Sequence, residues 1–307
     1  MTEQGDPRSY PYVLVDAFSD VLFGGNQLAV LPKAEGLNDR QMQSIAREFN
    51  FAETAFVLPP SDPANTARLR IFSPGAEMPF AGHPTIGAAA VLHRLANGNA
   101  ESASSVSFEE QVGLVRVQVS AEGGLIFSEL TLETTLESGE EVPSPADMAA
   151  VLGLPAGVVS DTWFASVGLK FCFCQLRNQT DVDAAVLDKG AWSRVMSDSW
   201  AQNVFLFSGD LTDASRIYAR MFAPAIGVDE DPATGSASAA LAAVLAARVG
   251  LSDARVSLLI EQGHAMQRPS TIQASATTVG TELHSVSVGG HVTFFASGTI
   301  DGPHYGS

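Results

Sequence analysis

The chain has 307 residues, 46% of them hydrophobic, with 34 acidic against 17 basic side chains and a formal net charge of -17. That composition supports a sizeable buried core and excludes a disordered chain. The acidic balance repels a phosphate backbone and argues against a nucleic-acid partner, and no basic amphipathic stretch suggests a membrane surface.

In chain order, the opening MTEQGDPRSYPY is polar, lacks an apolar run and does not look like a signal peptide. YVLVDAF and NQLAVLP read as strands around the turn GGN. NDRQMQSIAREFN follows as an amphipathic helix, with Asn38 as cap and Met42, Ile45, Ala46 and Phe49 on one face. Strands TAFVLP and ARLRIFSP lead to the glycine turn PFAGH and the Ala-rich run PTIGAAAVLHRL. A hairpin pattern, VGLVRVQVSAEGGLIFSELTLE, completes this half.

The polar, proline-bearing stretch 133–147 reads as a linker. It sets a first domain at 1–139 and a second at 140–307, with the terminal strand allowed to cross over. In the second half, Cys172 and Cys174 lie in LKFCFCQL. On a strand they share one face, which suits buried thiols better than a disulfide or a metal site, and a cytoplasmic protein is expected. GAWSRVMSDSW places Trp192, Val195 and Met196 at helical spacing. ASAALAAVLAARVGL is too short, and too interrupted by Arg248, for a membrane span, and reads as a core helix.

The halves repeat one another. RIFSP from Arg70 matches RMFAP from Arg220, EMPFAGH from Glu77 matches EDPATGS from Glu230, and an Ala-rich run follows each. The spacing requires an insertion in the second turn. Upstream, ETAFVL from Glu53 aligns with QNVFLF from Gln202, and SFEEQVG near Phe108 resembles LIEQG near Ile260. Matches in one order along most of the chain imply duplicated domains rather than a solenoid. A helix apolar on all sides is buried. Each half is therefore expected to be α+β, a curled, mostly antiparallel sheet around one central helix kept thin by alanine.

The start of such a helix carries unpaired N–H groups and a positive dipole end, which suit a carboxylate. Gly82 and Gly235 let the backbone approach a ligand there. Two such ends are expected to face a cleft between the domains. Beside them stand His83, Ser236 and Asp231. Glu53, in NFAETAFV, sits among apolar residues that disfavour its charged form and raise its basicity towards the useful range. Its repeat partner, Gln202, has no carboxylate, so one base rather than two is expected.

These stretches together resemble the phenazine-biosynthesis-like (PhzF-like) family, which has the diaminopimelate-epimerase fold. The resemblance rests on VDAFSDVLFGGNQLAVL, REFNFAETAFV, RIFSPGAEMPFAGHPTIG, RMFAPAIGVDEDPATGSA and QGHAMQRPSTI, in that order. It implies a cofactor-free and metal-free isomerase, Glu53 as the acid/base, His83 and Asp231 as assisting groups, and Gly235 and Ser236 holding a small carboxylated substrate, to which the helix-end reading adds Gly82. A homodimer is implied as well. The chain departs from the family pattern at Ala52, where serine is common, and at GNQ, which argues against assuming the phenazine precursor as substrate. Ala81 and Thr234 occupy the places where sister racemases carry paired thiols, so two-thiol racemisation is not expected. Two other readings stay open: a serine hydrolase built on Ser236, His83 and Asp231, although TGSAS lacks the nucleophile elbow, and a non-catalytic metabolite-binding protein on the same scaffold.

Overall fold

The computed structural model describes residues 9–250 and 252–303. The reading of the polar N-terminus as no signal segment falls mostly on residues 1–8 and so largely lies outside them. Two compact units emerge. The first comprises the chain up to Phe23, Gln27–Leu130 and the chain from His291 onward; the second comprises Gly24–Asn26 and Thr131–Gly290.

The first unit holds β1 (Ser9–Ala17), β2 (Asn26–Leu31), α1 (Asp39–Phe49), β3 (Glu53–Leu58), β4 (Ala67–Phe72), β5 (Glu77–Met78), α2 (Gly82–Asn97), β6 (Ser102–Glu110), β7 (Gly113–Glu122) and most of β8 (Leu125–Glu133). Its strand order is β1-β2-β3-β4-β6-β7-β8, parallel at β2–β3 and β4–β6 and antiparallel at β3–β4 and β6–β7. α1 begins where Asn38 predicts. The Asn38 side chain accepts from the Gln41 backbone, Gln41 reaches back to the Asn38 N–H, and Met42, Ile45 and Ala46 are buried.

The second unit holds α3 (Pro145–Val151), β9 (Val159–Ser166), β10 (Lys170–Leu176), α4 (Gln179–Ala184), α5 (Lys189–Met196), β11 (Asn203–Ser208), β12 (Ser215–Ala223), β13 (Val228–Asp231), α6 (Gly235–Val249), β14 (Arg255–Gln262), β15 (Ser270–Val279) and the first part of β16 (Glu282–Asp301). The order β9-β10-β11-β12-β14-β15-β16 repeats that of the first unit element for element. Parallel pairs recur in the same places, β10–β11 and β12–β14. The last part of β16 belongs to the first unit, where it pairs antiparallel with β1.

α2 and α6 are the two Ala-rich runs, and both are buried along most of their length. Small side chains let the sheet come close. A Cβ built on Gly87 of α2 would lie 2.5 Å from Leu28 and 3.3 Å from Val15, so the helix rests directly on β1 and β2 there. Among the described residues no helix is long and apolar enough to cross a membrane. Cys172 and Cys174 are buried free thiols on β10.

The repeat has a physical core. Arg70 of β4 grips Glu77 of β5 with two parallel hydrogen bonds, 2.7 Å each, and lies over the Phe72 ring. Arg220 of β12 grips Glu230 of β13 at 2.8 Å twice and lies over Phe222. Each pair is a bidentate clamp that folds the turn before the central helix back onto its strand. The longer second turn contains a 3₁₀ turn, Pro224–Ile226.

Strand register corrects one reading. Thr54 pairs with Phe72, and Val204 pairs with Phe222. Glu53 therefore corresponds to Asn203, the first residue of β11, and not to Gln202. The sequence match slid by one residue because apolar runs resemble each other in neighbouring registers, whereas the ladder allows only one. The second unit still carries an amide where the first carries a carboxylate.

The two clamps differ in what else they hold. Arg220 Nη1 also donates to the carbonyls of Val182, Asp183 and Ala185, capping the short helix α4. Among the described residues Arg70 instead adds only Asp39, which is largely exposed. Arg220→Ala is expected to cost about 3–5 kcal/mol, because it strands a partly buried carboxylate and three carbonyls. Arg70→Ala is expected to cost about 1–2 kcal/mol. Urea unfolding of both variants checks this, and equal losses would contradict it.

Candidate functional site

In the first unit, Glu53 opens β3 and His83 is the second residue of α2. The clamp at Arg70 and the close seating of α2 bring them together. His83 Nε2 lies 3.2 Å from Glu53 Oε2, within hydrogen-bond distance but not aligned for a hydrogen bond. The His83 side chain is 9% exposed and that of Glu53 18%, so the carboxyl is the more reachable of the two. Burial lowers the His83 pKa to about 3, against a hydrogen bond to the Gln27 backbone that favours the charged ring. The imidazole is therefore neutral at physiological pH.

Gly82 is the first residue of α2, and its N-cap, Ala81, has no side chain to cap the helix. A Cβ built on Gly82 meets nothing within 4 Å, so internal packing does not require glycine there. The half-buried start of α2 thus combines the Gly82 and His83 N–H groups, which have no partner within the helix, with a neutral imidazole and a carboxyl.

In the second unit, Asp231 ends β13 just before α6. Its Oδ1 accepts from Asn26 Nδ2 at 2.8 Å and its Oδ2 from Thr234 Oγ1 at 2.6 Å. Burial raises its pKa to about 6 even though both donors favour the charged form. Gln262, fully buried, ties the same turn: its Nε2 donates to the Asp231 carbonyl at 2.7 Å and to Thr234 Oγ1 at 3.0 Å, while its Oε1 accepts from the Thr234 N–H at 3.1 Å. Gly263 follows at φ +80, where a Cβ would collide with the carbonyls of Arg268 and Pro232. Arg268 donates to the carbonyls of Gly24 and Gly25, fixing the turn that presents Asn26. Gly235 and Ser236 are the first two residues of α6, Gly235 buried and Ser236 half-buried.

Asn26, Thr234, Gln262 and Arg268 were not among the sequence candidates. GGN and QGHAMQRPS were visible as motifs, yet nothing in them tells which side chain reaches Asp231. The hydrolase reading needs an Asp–His–Ser relay. Asp231 instead spends its two oxygens on Asn26 and Thr234, and the carboxyl beside His83 is that of Glu53.

The sequence matches the family model described as phenazine biosynthesis-like protein over residues 15–298. It is 37% identical to an uncharacterised isomerase of Mesorhizobium japonicum, over 94% of this chain and 98% of that one. It is 33% identical to the trans-2,3-dihydro-3-hydroxyanthranilate isomerase of Pseudomonas aeruginosa, over 94% and 98%. The crystal structure of a PhzF-family phenazine biosynthesis protein from Bacillus anthracis superposes with a TM-score of 0.84 at 23% identity, covering 95% of this chain and 99% of that one.

Thr234 and Asn26 donate to the ionised form of Asp231, so losing either donor raises the carboxyl pKa further above about 6. Carbon-13 NMR of the Asp231 carboxyl is expected to show an upward shift in Thr234→Val. An unchanged or lowered midpoint would contradict the assigned hydrogen bonds.

Proposed function

This chain belongs to the phenazine biosynthesis-like family, with the diaminopimelate-epimerase-like fold, and on that premise we propose that it is a cofactor-independent isomerase that moves a proton on a small carboxylated metabolite, cyclic or amino-acid-like. The observation that carries the reading is the approach of His83 to Glu53 at the uncapped start of α2.

In the proposed reaction the Glu53 carboxylate takes a proton from a substrate carbon. The electron pair of the broken C–H bond shifts along the conjugated system, and the proton is returned at a different carbon. Atoms and charge balance with no oxidant, reductant or second substrate. His83, kept neutral by burial, is able to accept a hydrogen bond from the protonated acid at Nε2, which an imidazolium could not. Unpaired N–H groups at the start of α2 favour an anionic substrate group.

Asp231, Gly235 and Ser236 enter the proposal as groups that bind the substrate's polar atoms or pass protons. In support, the Asp231 carboxyl sits near pH 6, where it exchanges protons readily, and α6 starts without a side-chain cap. The reading extends to a cytoplasmic homodimer; the two unpaired thiols on β10 are in keeping with a reducing compartment.

The test is deuterium uptake into substrate carbon from heavy water, across a panel of small cyclic carboxylates and amino acids that includes trans-2,3-dihydro-3-hydroxyanthranilate. Uptake by the wild-type protein is expected to fall about a thousandfold in Glu53→Gln. A Glu53→Gln protein with full exchange would sink the assignment.

A further inference from the structure

Glu110 ends β6 as a largely buried carboxyl that the proposed reaction does not use. Its Oε1 lies 2.8 Å from Thr85 Oγ1, and the same hydroxyl lies 2.9 Å from the carbonyl of Ala81. A hydroxyl has one proton, and a carbonyl has none to give. If the Thr85 proton goes to Ala81, the short contact to Glu110 requires a proton from the Glu110 side. The other oxygen, Oε2, is buried and has no hydrogen-bond partner among the described residues, a costly state for an ionised carboxylate.

The second unit shows where the hydroxyl proton goes. Ser238 stands in α6 where Thr85 stands in α2, and its Oγ donates to the carbonyl of the N-cap Thr234 at 3.0 Å. It also shows what occupies the position of Glu110. Ala67 pairs with Phe108 and Arg68 with Glu109; Ile217 pairs with Ile260 and Tyr218 with Glu261. The next residues, Glu110 and Gln262, therefore correspond, and each is the last of its strand. Gln262 holds the turn before α6 through a neutral group that both donates and accepts. A protonated glutamic acid is the closest match to that amide; a carboxylate, which only accepts, is not.

We infer that Glu110 is a neutral carboxylic acid that donates to Thr85 and so locks the Ala81–Thr85 turn, making it a positioning residue for Gly82 and His83. The role of the lock in turnover rests on the reading of His83 given above, but the lock itself does not. Burial raises the Glu110 pKa to about 8 even with the Thr85 hydroxyl donating to the carboxylate, so the acid form is favoured before its own hydrogen bond to Thr85 is added.

The charged groups on the surrounding elements have other partners or none at Glu110. Glu109, on the same strand, accepts from Ser61, Asp62 and Asn65. Arg70 on β4 is held by Glu77 and Asp39. On α2, burial keeps His83 neutral, His93 sits between the hydroxyls of Ser102 and Ser104, and Arg94 covers Phe294. Arg68 on β4 and Arg116 and Glu122 on β7 complete the set, and none is bonded to Glu110 among the described residues.

The folded state binds its proton at Glu110 up to about pH 8, while an unfolded glutamate releases it near 4.5. Stability from this group is thus full below 4.5 and is lost as pH rises through 8. The experiment uses the full chain without substrate. Infrared spectra at about pH 6.5 are expected to show a protonated carboxyl band that Glu110→Gln removes. The amide NMR signals of Gly82 and Thr85 are expected to titrate with a midpoint near 8 in the wild type and to stay flat in Glu110→Gln, and Glu110→Leu displaces them at every pH. On any substrate found to exchange, Glu110→Leu is expected to lower kcat about tenfold with KM little changed, and Glu110→Gln to restore it. The inference is overturned if the carboxyl is ionised at pH 6.5, if Gly82 and Thr85 ignore pH, or if Glu110→Gln moves them as far as Glu110→Leu. Absence of exchange on every substrate would count against the isomerase reading and leave the spectroscopic result to decide the lock.

Discussion

A buried imidazole beside a carboxyl is the constraint on which the candidate site depends. Charging His83 where it sits costs more than leaving it neutral, so the ring meets Glu53 as an uncharged hydrogen-bonding group and not as a fixed cation. That requires the start of α2 to be held against the apolar core. Alanine along the helix, and Gly87 against Leu28 and Val15, let the sheet come near enough to hold it there.

The duplication shows which parts are scaffold and which are chemistry. The Arg70–Glu77 and Arg220–Glu230 clamps are the same device used twice, down to the aromatic ring beneath each guanidinium. The back-bonded hydroxyls of Thr85 and Ser238 are likewise one device. The divergences gather at the helix starts: Glu53 against Asn203, His83 against Ser236, Glu110 against Gln262. A scaffold copied twice has kept its fasteners and changed its titratable groups.

Much of this was legible in the sequence because it is written locally. The Asn38 cap, the two buried Ala-rich helices and the strand-turn-helix order follow from short-range pattern. The resemblance to the phenazine-biosynthesis-like family rested on motifs in order, and the family match bears it out. What escaped depended on distant partners. Gln262 looks like any polar strand end until Thr234 is placed beside it, and Asn26 looks like a turn residue until Asp231 accepts from it. The short helix α4 has little pattern of its own, and Arg220, far along the chain, caps it. The one-residue slip at Gln202 arose because apolar runs match in more than one register, and only the hydrogen-bonded ladder to β12 chooses between them.

Nitrogen-15 NMR of the His83 ring tests the central constraint most directly. Burial is expected to keep the imidazole neutral from pH 8 down to about 4, with its proton gained only towards about 3. A ring that takes up a proton near its ordinary value of 6.5 would mean that His83 is an imidazolium paired with Glu53 below that pH, and the neutral imidazole described here would be wrong.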